Sequence, residues 1–321
     1  MGASGVALAQ SITPGTSWRR PRASHWSKER LAEARRFFES TPMSGLMIVQ
    51  NGDLIDAWGD VSHKFNIHSA RKSLLSALYG PRIQRGEISM STTLEQLGID
   101  DRPPRLSREE KQATILDLLM VRSGVYHDAA AESDGMRNHK PPRHSKPHGT
   151  FWCYNNWDFN TAGAIFEKLT RTSIFKEFER VIARPIGMED FSVADCRYQH
   201  DPSSQFPAYI FHMTARDMAR FGLLMLRGGE WNGRTIVPRK WVEESTKSYS
   251  DASGYGIKGD GYGYMWWVRS ESYSARGNGG QYIDVVPSRS IVITQTSSQP
   301  VGSFAKEFFK LEGMILAAER G

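Results

Sequence analysis

Phe65-Asn66-Ile67-His68-Ser69-Ala70-Arg71-Lys72-Ser73-Leu74-Leu75 begins as a short apolar entry and passes into a run in which Leu74, Leu75, Leu78 and Tyr79 recur at helical spacing. Residues three apart on a helix share a face, with Cβ atoms about 5–6 Å apart. The Lys72 amine can therefore reach the Ser69 hydroxyl, giving a nucleophile with a built-in base. The flanking apolar residues imply a helix buried on more than one side, where a lysine is costly unless it is paired or used. Ser173-Ile174-Phe175-Lys176 and Ser303-Phe304-Ala305-Lys306 share the spacing. They open ordinary amphipathic helices, in which a serine is an N-cap and a lysine is solvated. Gly80-Pro81 is read as the end of the helix that Ser69 begins.

Upstream, Ser44–Gln50 and Asp53–Trp58 are apolar-rich runs joined by Asn51-Gly52, the pair that favours a type I′ hairpin. A helix from Lys28 to Ser40 precedes them, with Leu31, Ala34, Phe37 and Phe38 on one side. Downstream, to about Arg197, the chain is mostly helical, including Ile115–Val121, Asn160–Leu169 and Phe175–Ala183, and Thr214–Arg227 is a further amphipathic helix. Tyr262–Val268, Tyr273–Arg276, Gln281–Val286 and Ser290–Thr296 read as strands, with Pro287-Ser288-Arg289 as a turn and Phe304–Ala318 as a closing helix. Short hairpin connections favour antiparallel pairing. The fold class is α+β: an antiparallel sheet flanked by helices, with an inserted all-helical domain. The divisions are an irregular arm over 1–27, a discontinuous sheet domain over 28–65 and 201–321, and a helical insert over 66–200, with the site drawn from both sides of a cleft.

The chain has 321 residues, enough for about two structural units. With 39% hydrophobic and 24% charged residues it is neither disordered nor collagen-like. A formal net charge of +6 is too small to call for a nucleic-acid partner. There is no apolar run near 18 residues, so no membrane span is expected. Cys153 and Cys196 cannot make a four-cysteine zinc site or a redox pair and are expected to be free, mostly buried thiols. Ala7-Leu8-Ala9 before Gln10 is similar to the small-residue end of a secretory signal, which points to a periplasmic or secreted protein, with a cytoplasmic one as the alternative. Residues 128–150 hold His139, His144 and His148 among Arg137, Lys140, Arg143, Lys146 and three prolines. They read as an exposed loop flanking the site and the source of much of the charge excess, without a metal-ligand set.

GxSxG, HExxH and P-loop patterns are absent, and Gly259-Asp260-Gly261-Tyr262-Gly263 is a mobile turn instead of a phosphate cradle, since it precedes a strand. Two other segments bear on Ser69 and Lys72. Tyr154-Asn155-Asn156 is the sole Tyr-x-Asn in the sequence and lies just before a helix, where side chains can converge. Gly277-Asn278-Gly279-Gly280-Gln281 enters a strand with little side chain, so its backbone can approach a substrate closely.

Ser69-x-x-Lys72, Tyr154-x-Asn156 and the glycine-rich entry at 278–281, in that order, resemble the serine β-lactamase and penicillin-binding superfamily, in particular its class C β-lactamase and esterase branch. Leu118-Leu119-Met120-Val121-Arg122-Ser123-Gly124-Val125 and Gln281-Tyr282-Ile283-Asp284-Val285-Val286-Pro287 extend the likeness from about Ser44 to the C-terminus. The resemblance implies that Ser69 is the acylated nucleophile, that Lys72 and Tyr154 form the proton-transfer pair, and that Asn156 hydrogen-bonds Lys72 and substrate. It also implies an oxyanion hole made by the Ser69 and Gln281 backbone N–H groups. An ordinary lysine is neutral in about one molecule in a few thousand at pH 7, so burial or coupling to Tyr154 must ease its deprotonation.

Where the family carries Lys-Thr-Gly, this chain has Asn278-Gly279-Gly280, without the cation and hydroxyl that would hold a substrate carboxylate. The expected activity is therefore hydrolysis of small esters or amides, including linear ω-amino-acid oligomers, through an acyl-enzyme. The alternatives are a β-lactamase or D-Ala-D-Ala carboxypeptidase, and a catalytically silent binding protein on the same fold. Tyr126, Asn278, Gly280 and Gln281 are further candidate substrate contacts, as is His127, with burial of Tyr126 and solvation of His127 as the competing reading. No cofactor or metal is called for.

Overall fold

The computed structural model describes residues 18–21, 25–299 and 305–319. Ala7-Leu8-Ala9, most of the N-terminal arm and the Ser303 and Phe304 positions lie outside the described residues. The chain begins with α1 (Lys28–Glu39), capped by the Ser27 hydroxyl, and then forms the hairpin β1 (Met43–Gln50) and β2 (Asp53–Gly59). At its tip both Asn51 and Gly52 have positive φ, as a type I′ turn requires. The short strand β3 (Phe65–Asn66) leads through a 3₁₀ turn, His68–Ala70, into α2 (Arg71–Gln84).

The middle of the chain holds α3 (Ile115–Leu119), α4 (Asp134–His139), α5 (Asn156–Thr170) and α6 (Ile174–Phe178). Strands β4 (Arg197–Asp201) and β5 (Ser204–Ile210) form a separate hairpin that crosses residue 200, and β5 packs on α5. Next come β6 (His212–Met213), which pairs with β3, and α7 (Ala215–Leu226). The chain continues through β7 (Glu230–Trp231), β8 (Arg234–Thr235), α8 (Arg239–Ser245), β9 (Ser250–Asp251), β10 (Gly261–Tyr262) and β11 (Trp267–Val268). It closes with β12 (Tyr273–Gly277), β13 (Gln281–Val286), β14 (Ile291–Ser297) and α9 (Ala305–Ala318).

Eight strands make one sheet in the order β2-β1-β14-β13-β12-β11-β10-β9, antiparallel at every step. The first hairpin of the chain thus pairs with its last strand, with Ile48 opposite Ile293. Every residue of β13 is buried because both faces of the sheet are covered. Tyr282 and Val286 pack with Trp26, Phe38, Phe308 and Ile315 on the α1/α9 face, whereas Ile283 and Val285 belong to the larger core with Met218, Phe221 and the helical region.

Three local expectations change. The helix beginning near Ser69 runs through Gly80 and Pro81 to Gln84. A Cβ on Gly80 would stand 2.6 Å from the Trp241 ring, and the Trp241 indole donates to the Ser76 carbonyl. That close packing with α8 uses the missing side chain and outweighs the helix-breaking tendency of the pair. The run at 262–268 is two two-residue strands separated by a tight turn with Met265 at positive φ, because its aromatic residues pack as a cluster and do not alternate across the sheet.

The loop at 128–150 is the third. It is exposed over most of its length, as expected, but it contains α4 and its basic residues have partners: Arg137 has Asp134, Lys140 Glu132, Arg143 Glu110, and Lys146 the Phe151 ring. Its histidines are engaged as well, His139 against Tyr255, His144 with Glu110 and His148 with Asp117. The Lys140 side chain is nearly fully buried, and a charge removed from water requires a counter-charge. Among the described residues no helix is long and apolar enough to cross a membrane, and no group of three His, Cys, Asp or Glu side chains is placed to hold a metal. Cys153 and Cys196 are free, the first buried and the second half-buried.

Candidate active site

Ser69 sits where a strand turns into a helix. The Ile67 N–H donates to the Phe211 carbonyl, and Asn66 Oδ1 accepts from the His68 N–H at 2.9 Å. His68 has φ +46°, a left-handed conformation unfavourable for a residue with a Cβ, and this turns the backbone so that Ser69 faces the cleft, half-buried. Ser73 anchors α2 by donating to the Met265 carbonyl at 2.7 Å.

Lys72 Nζ lies 2.9 Å from Ser69 Oγ and 2.9 Å from Tyr154 OH. The three groups form one hydrogen-bonded chain whose central amine is 1% exposed. The amine also lies 4.3 Å from the centre of the Tyr154 ring and 4.0 Å from that of Phe159. Tyr154 is fixed by its place just before α5. The Cys153 N–H donates to the Val121 carbonyl, and Asn155 caps the helix by accepting from the Asp158 N–H at 3.0 Å. Its ring stacks on Tyr255 at 5.0 Å and meets Trp267, Tyr262 and Trp152.

Burial holds the Lys72 ammonium well below the ordinary lysine range, with the Arg71 charge acting in the same direction and Glu132 against it. Burial pushes the Tyr154 phenol up, although its contact with Ser69 partly opposes this. Both shifts favour the uncharged form, of the amine and of the phenol. His68 is pulled down to about 4, mainly by burial and then by the charges of Arg71, His212 and Lys72, so it is uncharged at neutral pH. A neutral amine between two hydroxyls can accept a proton from one and relay it through the other.

The glycine-rich entry lies against the same spot. Gly277 pairs with Gln281 at the end of the β12–β13 hairpin, and a Cβ on Gly277 would stand 2.1 Å from the Ile67 carbonyl oxygen. Gly279 and Gly280 both have positive φ, and Gly279 passes so close to the Gln299 carbonyl that a side chain there would clash. The Gln281 side chain is tied to Ser297: its amide donates to the Ser297 carbonyl at 2.7 Å and its oxygen accepts from the Ser297 N–H at 3.3 Å. Asn278 is exposed, and its Oδ1 accepts from the Gly279 N–H.

Three expected contacts are placed differently. Asn156 does not bond Lys72; its amide donates to the carbonyls of Ala130 at 3.2 Å and Ala131 at 2.6 Å, so it anchors the 128–150 loop, joined by Asn160 on the Ala130 carbonyl. Tyr126 is buried, with its hydroxyl unpartnered and its phenol pushed up by burial and by Cys153 and Asp158. His127 is likewise buried, its ring nitrogens 2.9 Å from the Asp128 carbonyl and 3.0 Å from that of Arg102, a bracing role for the loop.

The structure adds residues that spacing did not single out. Glu132, paired with Lys140, Tyr255 and Trp267 reach the site from segments with no motif, and Trp152 and Arg71 adjoin motif residues. Asp158 lies under the Ser123-Gly124 turn, 2.5 Å from Ser123 Oγ, and Asn155-x-x-Asp158 carried the signal of a helix cap.

A helix-flanked antiparallel sheet with a hydroxyl, an amine and a phenol aligned at its cleft defines a hydrolase of the β-lactamase fold. The chain belongs to the Beta-lactamase family, whose model matches residues 34–309. Among solved structures it is similar to a Bacillus anthracis protein provisionally named a 6-aminohexanoate-dimer hydrolase, with a TM-score of 0.70, 20% identity, and coverage of 96% of this chain and 88% of that one. A β-lactamase from Mycobacterium bovis aligns with a TM-score of 0.64 and 16% identity over 89% of this chain and 100% of its own. A penicillin-binding protein from Bacillus halodurans aligns with a TM-score of 0.65 and 16% identity over 88% and 99%. At these identities the likeness is one of fold. No curated protein matches the sequence at a significant level.

Proposed function

We propose that this protein is a serine hydrolase that cleaves small esters or amides through an acyl-enzyme at Ser69. The observation that carries the reading is the Lys72 amine, buried and 2.9 Å from both Ser69 Oγ and Tyr154 OH. Ser69 Oγ attacks the substrate carbonyl while its proton passes to Lys72, and the pair Lys72–Tyr154 returns a proton to the departing alcohol or amine. Water, deprotonated by the same pair, then attacks the acyl-enzyme, releasing the acid and restoring the Ser69 hydroxyl. The backbone N–H groups of Ser69 and Gln281 stabilise the oxyanion, a contact of the kind whose loss costs about 10²–10³ in rate.

Asn278 favours neutral substrates, since no lysine at that position offers a charged contact to a carboxylate. The provisional name of the Bacillus anthracis relative supports an amide substrate as well as an ester. Turnover of a chromogenic acetate or butyrate ester by wild type, and its loss in Ser69→Ala, is the expected result; equal turnover by the two would overturn the reading. Penicillin recognition is the second reading, favoured by the β-lactamase and penicillin-binding relatives. Labelling of Ser69 by a fluorescent penicillin supports it, and the absence of label at high concentration removes it.

A further inference from the structure

Arg71 is a buried cation without a counter-ion. It is 3% exposed and forms no ion pair among the described residues. Its Nη1 donates to the His68 carbonyl at 3.0 Å, its guanidinium lies 5.2 Å from the centre of the Tyr209 ring, and its Nε and Nη2 have no hydrogen-bond partner. Leaving a charge in that state is costly, and replacing it by an apolar residue of similar size is the change that ordinarily stabilises a core. The His68 carbonyl that Arg71 bonds belongs to the residue before Ser69, whose hydroxyl bonds Lys72 Nζ, so the uncompensated charge is held close to the amine that the proposed mechanism needs in neutral form.

We propose that Arg71 is a positioning residue for the base: its unpaired guanidinium, fixed beside the Ser69–Lys72–Tyr154 chain, keeps the Lys72 amine unprotonated and ready to accept the Ser69 proton. The inference rests on the reading of Ser69 as nucleophile. An arginine serves this purpose because it stays charged at every working pH, whereas a lysine in the same setting would lose its own proton more readily.

The other groups around Lys72 do not supply this field. From its own segment, His68 is neutral at working pH and Ser69 is a hydroxyl. From the entry to α5 come the Tyr154 phenol and the Phe159 ring, and the two ring faces favour the ammonium form. From the 128–150 loop comes Glu132, which also favours the ammonium form but is neutralised by Lys140 at 2.9 Å. Tyr209 on β5 and Tyr255 between β9 and β10 are neutral phenols held up by burial. Burial and Arg71 therefore oppose the rings and Glu132, and the same Arg71 charge holds down His68 on its other side.

The test is the pH dependence of the rate at which a fluorophosphonate probe labels Ser69 in the full-length protein, in wild type, Arg71→Met and Arg71→Lys. Removing the cation raises the affinity of Lys72 for its proton. The acid limb of the Arg71→Met profile should move up by about one pH unit, which is about tenfold in rate at a fixed pH on the limb. The plateau at high pH should stay within about threefold of wild type, because there Lys72 is neutral in both. Arg71→Lys, whose amine carries its charge over the acid part of the range, should place the limb between those of wild type and Arg71→Met. A limb that stays in place in Arg71→Met while labelling proceeds overturns the inference alone, as does an equal shift in both variants. Wild type that never labels overturns the Ser69 reading and this inference with it. Arg71→Gln carries the same expectation as Arg71→Met and decides the matter should the methionine variant fail to fold.

Discussion

Gly277 and Ile67 touch backbone to backbone: a Cβ on Gly277 would come within 2.1 Å of the Ile67 carbonyl oxygen. Through this contact the β12–β13 hairpin sets the position of the turn that carries Ser69, two residues on. Gly277→Ala must push one of the two backbones aside, at a cost of about 1–3 kcal/mol by the usual penalty for overpacking. A displacement near 1 Å at a reacting centre can cost about 100-fold in rate. Denaturant unfolding together with the rate of Ser69 labelling measures both effects, and a variant that labels at the wild-type rate would show that the contact does not position the serine.

Tyr154→Phe deletes one oxygen from the proton chain and keeps the ring that stacks on Tyr255. Hydrolysis of a chromogenic ester should fall by about 10²–10⁴, the usual contribution of a positioned proton-transfer group. The melting temperature should change little, since the apolar contacts remain. A loss of activity smaller than threefold would remove Tyr154 from the mechanism.

Asp158 makes stability depend on pH. Burial pushes its carboxyl up to about 8, against the hydrogen bonds from Ser123 and Asn155. An unfolded aspartate has a pKa of about 3.9, so between that value and about 8 the folded state holds a proton that the unfolded state has released. This contribution is complete below about pH 4 and is lost as the pH rises through 8. In mid-window each pH unit lowers stability by about 1.4 kcal/mol. Asp158→Asn, nearly isosteric, should flatten the decline of melting temperature between pH 5 and 8; an unaltered slope would assign the decline to other groups.

Asp260 and Arg276 form a two-pronged ion pair at 2.6 and 3.0 Å, and the arginine also lies over the Trp267 ring beside Tyr154. Removing one partner leaves a buried charge alone, which typically costs about 3–5 kcal/mol. Asp260→Ala should show that loss in urea unfolding, and the double variant Asp260→Ala/Arg276→Met should recover part of it, because the stranded charge is gone. A double variant less stable than the sum of the two singles would contradict this account.

Much of this protein was legible from short-range pattern. Hairpin β1–β2 follows from Asn51-Gly52, β13 spans the apolar run Gln281–Val286, and Ser173, whose hydroxyl accepts from the Lys176 N–H, is the N-cap that its context called for. The Ser69–Lys72 contact is one that helical spacing allows, since residues three apart share a face.

Other features needed distant chain segments. The Gly80-Pro81 break was overridden by Trp241, the 262–268 strand was divided by its aromatic packing, and Asn156 was drawn to the Ala130 and Ala131 carbonyls. In the loop at 128–150, Glu132 and Glu110 meet Lys140 and Arg143, pairings that a charge count does not show. Sequence by itself determined which residues are candidates for the chemistry and the helical turn that joins Ser69 to Lys72. Tertiary structure alone decided that Tyr154, 82 residues away, completes the proton chain and that Arg71 is buried without a counter-ion. The difference is physical: helical geometry fixes neighbours three residues apart, whereas burial and the field at an amine depend on everything packed around it.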